Sequence, residues 1–169
     1  MAQQMVPKFL NFLAEDSGLQ RDEFDQLFID RLIVQLQDPT VEPGDQAGSA
    51  YLISTFEAAA KSAVPALTEV LMSDAVSVRV AAAYSLGCIG TSAEDAIAAL
   101  KKEIENEKHS LGIRVIFAGV LGKIGPKAVF AVASLERLMK TARQTGTDLL
   151  TDREFDTVAI ALERIQVQH

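Results

Sequence analysis

Two stretches of this chain repeat one another: residues 79–90, RVAAAYSLGCIG, and residues 114–125, RVIFAGVLGKIG. Seven of the twelve positions match at an offset of 35 residues: Arg79/Arg114, Val80/Val115, Ala83/Ala118, Leu86/Leu121, Gly87/Gly122, Ile89/Ile124 and Gly90/Gly125. A period of this size marks an array of helix pairs, because one pair cannot bury its apolar side alone and the next pair has to cover it. The segment AVPAL at residues 63–67 returns as AIAAL at 96–100, an offset of 33. The difference of two residues belongs to the turn between the helices of one pair, at 106–110.

Read in order, the chain predicts an all-α fold. Residues 1–20 hold an amphipathic segment with Phe9, Leu10, Phe12 and Leu13, stopped by Gly18, suited to capping the first repeat. Apolar residues at helical spacing over 22–37 give the first helix, ended by DPTVEPGD at 38–45, and its partner covers 46–60. Pro65 suits the first turn of the next helix, 64–72, since its missing N–H has no intrahelical partner there. Ser73-Asp74-Ala75 supplies a turn with an N-cap candidate, and 76–89 follows as a helix closed by Gly90 as a left-handed C-cap. Ser92 is placed to cap the third first-helix, whose partner stops at Gly125-Pro126. A helix over 127–143, a polar stretch over 144–152 and a helix over 153–167 complete four pairs spanning about 22–167, within one domain covering 1–169. In the last helix FDTVAIALERI mirrors RVIFAGVLGKI at an offset of 41, with Leu162 in the place of Leu121 and Ile165 in that of Ile124.

The succession A-[VI]-x-A-L, a short Ser/Asp turn, then V-x-V-R-x-A-A-x-x-L-G-x-I-G, as it stands at 63–90, resembles a HEAT-type repeat, in particular the phycobilisome-lyase HEAT-like subgroup. The likeness is closest in the second and third repeats and departs in the first, where Gln46 occupies the place of Arg79. The resemblance implies an α-solenoid whose second helices line a concave binding face, and framework arginines that pair with a turn aspartate, here Asp74 for Arg79.

Composition agrees with close helix stacking: 49% of residues are hydrophobic, only 6% are aromatic, Trp is absent, and small side chains let helix axes approach. The single cysteine, Cys88, leaves no internal disulfide and no Cys-based metal site, and a reducing cytoplasm is the simplest compartment. The N-terminus does not read as a signal peptide, and no apolar run approaches the ~20 residues of a membrane span. The net charge of −7 is unevenly spread: residues 1–61 carry ten acids against four bases, and 101–143 carry nine bases against four acids. An acidic balance of this kind argues against duplex nucleic acid as the partner.

Taking Ala82, Leu86 and Ile89 as the core direction, Val80, Tyr84, Gly87 and Cys88 point away from it, as do Val115, Gly119, Gly122 and Lys123. Tyr51 and Tyr84 share a column, and tyrosines give large contact area at low entropic cost. Cys88 shares its column with Thr55, Lys123 and Arg164, whose polarity predicts an edge open to water. His109 and His169 form no metal-binding pattern, and no phosphate-binding glycine loop or nucleophile elbow occurs. The expected function is a non-catalytic adaptor that binds another protein through a ridge of Tyr51, Tyr84, Cys88, Lys123 and Arg164, with no cofactor, metal or membrane contact, as a monomer or weak dimer. The resemblance implies an alternative, a chromophore-handling protein related to phycobilin lyases.

Overall fold

The structure, a computed structural model, describes residues 13, 15–144 and 152–166. The helices are α1 (Arg21–Gln37), α2 (Pro43–Ser54), α3 (Val64–Glu69), α4 (Val76–Ile89), α5 (Ile97–Glu105), α6 (Leu111–Ile124), α7 (Val132–Gln144) and α8 (Asp152–Gln166). No strand occurs among the described residues, so the chain is all-α. Residues 13 and 15–17 are also helical, while Phe9, Leu10 and Phe12 of the expected cap lie outside the described residues, as do His169 and most of the polar stretch before α8.

The helices stand in two rows. In the front row α2 packs on α4, α4 on α6 and α6 on α8; behind them α1, α3, α5 and α7 each pack against the helix that follows in the chain. The core lies between the rows, and the repeated apolar positions fill it: Leu86, Leu121, Ile89 and Ile124 are buried, together with Leu36, Ile53, Leu67 and Leu100. Burying one such side chain contributes roughly 1.5–3 kcal/mol, which is why the pattern is kept from pair to pair. The last helix departs from it. Val158, Ala161 and Ile165 are buried in α8, whereas Leu162 is only half-buried and packs at the margin of the core.

The helix ends differ from expectation in ways that have local causes. The α2 helix begins at Pro43, not at 46, because a proline fits the first turn. It stops at Ser54, not at 60: Phe56 turns into the core and Glu57 adopts a φ of +49° to allow it. Residues after each front-row helix then wind into 3₁₀ connectors, Glu57–Ala63, Gly90–Ala96 and Pro126–Ala131. Each connector presents two buried alanines three apart, Ala60/Ala63, Ala93/Ala96 and Ala128/Ala131, and the first two connectors bend at Ala60 and Ala93. The three connectors pack on one another through this small-residue edge.

Gly90 and Gly125 do take positive φ, +66° and +87°, but their ψ values of −133° and −147° lead into an extended step, not a left-handed turn. Their N–H groups donate to Leu86 O and Leu121 O, closing α4 and α6. Neither Ser73 nor Ser92 caps a helix by its side chain; the Ser73 hydroxyl accepts from Ala75 N within its own turn, and α5 simply continues the preceding connector.

The repeated arginines bind backbone, not Asp74. Arg79 Nη1 donates to Ser73 O at 2.6 Å and to Asp74 O at 3.0 Å, and Arg114 Nε donates to Ile104 O at 2.6 Å. Each guanidinium thus satisfies carbonyls left open where the preceding back-row segment ends, at the negative end of its dipole. Gln46 performs the same service in the first pair, donating from Nε2 to Asp38 O at 2.9 Å just beyond α1.

Candidate functional site: an apolar groove on the front row

Four front-row helices contribute to one open groove with a volume of about 420 Å³. Tyr51 comes from α2, Val80 and Tyr84 from α4, Ile116 and Val120 from α6, and Ile160 from α8. Tyr51 is 45% exposed, Tyr84 41%, Ile116 38% and Ile160 45%, so the groove offers water a contiguous apolar surface instead of scattered single side chains. The two tyrosine rings meet at 5.7 Å between centroids with a 58° tilt, a geometry that aromatic pairs favour. A second depression of about 490 Å³ shares Val80, Ile116 and Thr157 with the first and extends it past Val76 and Ile113 along the row.

Glycines set how closely the front-row helices approach. A Cβ on Gly122 would lie 2.6 Å from Ala161 Cα, and one on Gly119 would lie 2.9 Å from Thr157 Cγ2. The α6–α8 approach therefore depends on their absence of a side chain. Gly87 plays the corresponding part between α4 and α6, where a Cβ would stand 3.1 Å from Lys123 Cδ. These glycines face the next front-row helix, so the face that the helical wheel turned away from the core is divided. Val115, Gly87 and Gly122 are buried by neighbours, while Val80, Tyr84 and Gly119 stay partly open at the groove.

Of the five residues expected to form a ridge, Tyr51, Tyr84, Lys123 and Arg164 line this groove. Cys88 does not line it and is half-buried, neither enclosed in the core nor fully open to water. It lies one turn beyond Tyr84 on α4. A hydrogen bond between the two side chains is the main reason the Tyr84 hydroxyl is raised above the ordinary phenol range, with the Cys88 charge, desolvation and Tyr51 acting in the same direction. Sequence reasoning did not single out Ile116 or Ile160, although the offsets of 41 and 35 put Ile160 in the column of Gly119 and Tyr84.

The cations at the groove are placed without acidic partners. Lys123 Nζ lies 5.3 Å from the Tyr84 ring centroid, a cation–π distance. Among the described residues no carboxylate comes within ion-pair distance of Lys123 or Arg164. Elsewhere several polar side chains are matched across the back row and between connectors. Gln37 Nε2 donates to Glu69 at 2.6 Å and Ser134 Oγ to Glu105 at 2.6 Å, tying back-row neighbours together, and Lys127 pairs with Glu94 between two connectors. Hydrogen bonds from Ser134 and Lys101 lower the Glu105 carboxyl below its ordinary range, and Lys127 does the same for Glu94. His109 Nε2 sits 2.5 Å from Glu103 Oε2, with the imidazole edge-on to Phe117, and fastens the turn between α5 and α6. No cluster of three metal-binding side chains occurs among the described residues, and no helix of theirs is long and apolar enough to cross a membrane.

Fold and groove together define an all-helical protein of two packed rows that offers an apolar cleft, rimmed by two cations, on its front row. No protein-family model, no curated protein and no solved structure matches this chain.

Proposed function

We propose that the chain is a HEAT-like α-solenoid module that binds another protein through its front-row groove and performs no chemistry of its own. The observation that supports this reading most is the gathering of exposed Tyr51, Tyr84, Ile116 and Ile160 in one cleft. Surface of this kind costs solvation until a partner covers it, and aromatic anchors dominate binding energies at interfaces. The test is capture from cell lysate with the wild type, an Ile116→Asp variant, and a Leu27→Asp control whose exposed site on α1 lies away from the groove. Proteins retained by the wild type and the control, and lost by Ile116→Asp, support the proposal. A retained set indifferent to Ile116, or an empty one, refutes it.

The second reading, a chromophore-handling protein, draws on the free thiol of Cys88 beside Tyr84 and on the cations at the cleft. Cys88 stands outside the lining of the groove, which favours the first reading. Incubation with a linear tetrapyrrole is expected to give no visible band that survives denaturation. A band that persists, and disappears with Cys88→Ala, decides for the second reading.

A further inference from the structure

Resting on the protein-binding reading, we propose that the segment this groove accepts is a short apolar stretch followed directly by acidic side chains, the acids seated at Lys123 and Arg164. The argument begins with charge. The chain carries a net −7, yet the two charged residues that line its apolar cleft are both cations. Neither is neutralised by a carboxylate among the described residues, so both charges are available to a ligand in the cleft.

Lys123 is also held in place. Its methylene stem lies against Gly87, where any larger residue would displace it, and its ammonium sits over the Tyr84 ring. A ring face orients a cation without cancelling its charge, as a carboxylate would. The α6–α8 contact through Gly119 and Gly122 brings Arg164 to the same cleft from the adjacent helix. Charge at such a position selects partners by complementarity, since an apolar ligand ending in a cation would be repelled.

The shape favours a peptide over a small amphiphile. Small-ligand sites enclose most of their ligand's surface, whereas this cleft is open and continues into the second depression through Val80, Ile116 and Thr157. An elongated trough of this sort fits consecutive side chains of one segment, with apolar residues toward Val76 and Ile113 and the acids at the Lys123 end.

The experiment is selection of a phage-displayed random-peptide library on the whole protein, with elution by excess wild type. Recovered peptides are expected to carry Asp or Glu directly beside an apolar block. A selected peptide should bind about tenfold tighter than its Asn/Gln counterpart, as two partly exposed charge pairs allow. The double variant Lys123→Gln, Arg164→Gln should lose that difference, and Lys140→Gln, on exposed α7 surface, should keep it. Peptides without acidic enrichment, or an acidic preference that persists in the double variant, overturn the proposal. So does binding of sodium dodecanoate at the groove when no peptide is selected. If any of these results accompanies Ile116-dependent capture from lysate, the protein-binding reading stands and only the acidic ligand is lost.

Discussion

Arg79, Arg114 and Gln46 show how one repeated side chain serves the backbone. Each reaches from the start of a front-row helix to carbonyls where the preceding back-row segment ends. Removing the donor leaves a carbonyl unpaired, and hydrogen bonds to charged groups contribute about 1.5–3 kcal/mol. Arg114→Ala is therefore expected to lower unfolding stability by roughly that amount, and Gln46→Ala, a neutral donor, by about 1 kcal/mol; urea titrations of both variants test the order. Glu105 makes a pH-dependent contribution at the same scale. Its carboxyl is lowered first by the Ser134 hydroxyl and next by Lys101, so the stabilisation is present above the ordinary glutamate range and is lost as pH falls through the lowered value. Ser134→Ala should flatten that acid limb, read as the urea midpoint against pH. Tyr84 has the opposite sign: its hydroxyl is raised, so it stays protonated past the usual phenol range, and any linked stability disappears only as pH climbs through the raised value. Ultraviolet titration of wild type and Tyr84→Phe should show a late-ionising tyrosine, and Cys88→Ala should bring it back toward the ordinary range.

Between elements, spacing is governed by what is missing from side chains. Gly122 lets α8 lie against α6 at a distance that a Cβ would violate, because the atom it meets is backbone. Gly122→Ala should cost about 1–3 kcal/mol through forced displacement of α8. Gly48, in α2, has nothing near its missing Cβ, and Gly48→Ala should be neutral or add about 0.5–1 kcal/mol from lower unfolded-chain entropy and better helix propensity. Thermal unfolding of the pair separates close approach from helix propensity, since propensity alone predicts stabilisation in both. Leu121→Ala, a fully buried truncation in the same helix as Gly122, sets the scale at roughly 2–5 kcal/mol. The alanine pairs of the 3₁₀ connectors obey the same rule of small size, packing connector on connector where larger side chains would push the pairs apart.

For the whole molecule, the two rows divide labour. Back-row neighbours are tied by polar bonds, with Leu27 and Val34 of α1 left exposed singly, and the front row leaves a cleft facing water. The uneven charge along the chain, acidic in residues 1–61 and basic in 101–143, invites head-to-tail contact between copies. Exposed charge pairs contribute less than about 1 kcal/mol each, and salt screens them beyond about 8 Å at physiological ionic strength. A monomer, or a dimer that dissociates as salt rises, is the expected outcome of sedimentation across a salt series. An oligomer unchanged at high salt would mean that a second copy covers the groove by apolar contact, and would contradict the proposed partner.

Periodicity determined most of the helices and the burial of their repeated positions in the second and third pairs, though Leu162, which mirrors Leu121, is only half-buried. Leu86/Leu121 and Ile89/Ile124 recur because every pair must fill the same space against its neighbour, so a local pattern carries a global consequence. The repeated arginines at 79 and 114 were legible there, but their partner atoms were not: carbonyls have no residue signature, the pairing with Asp74 was what the repeat resemblance implied, and Gln46 read only as a departure. Helix ends were less legible, since Phe56 and the alanine connectors are set by what the core can accept, not by local propensity. The groove was decided by tertiary structure. The wheel of a single helix turned Tyr84 away from the core, but a cleft that joins Tyr51, Tyr84, Ile116 and Ile160 takes four helices, and the approach of α8 to α6 at Gly119 and Gly122 is a distance that no single helix encodes.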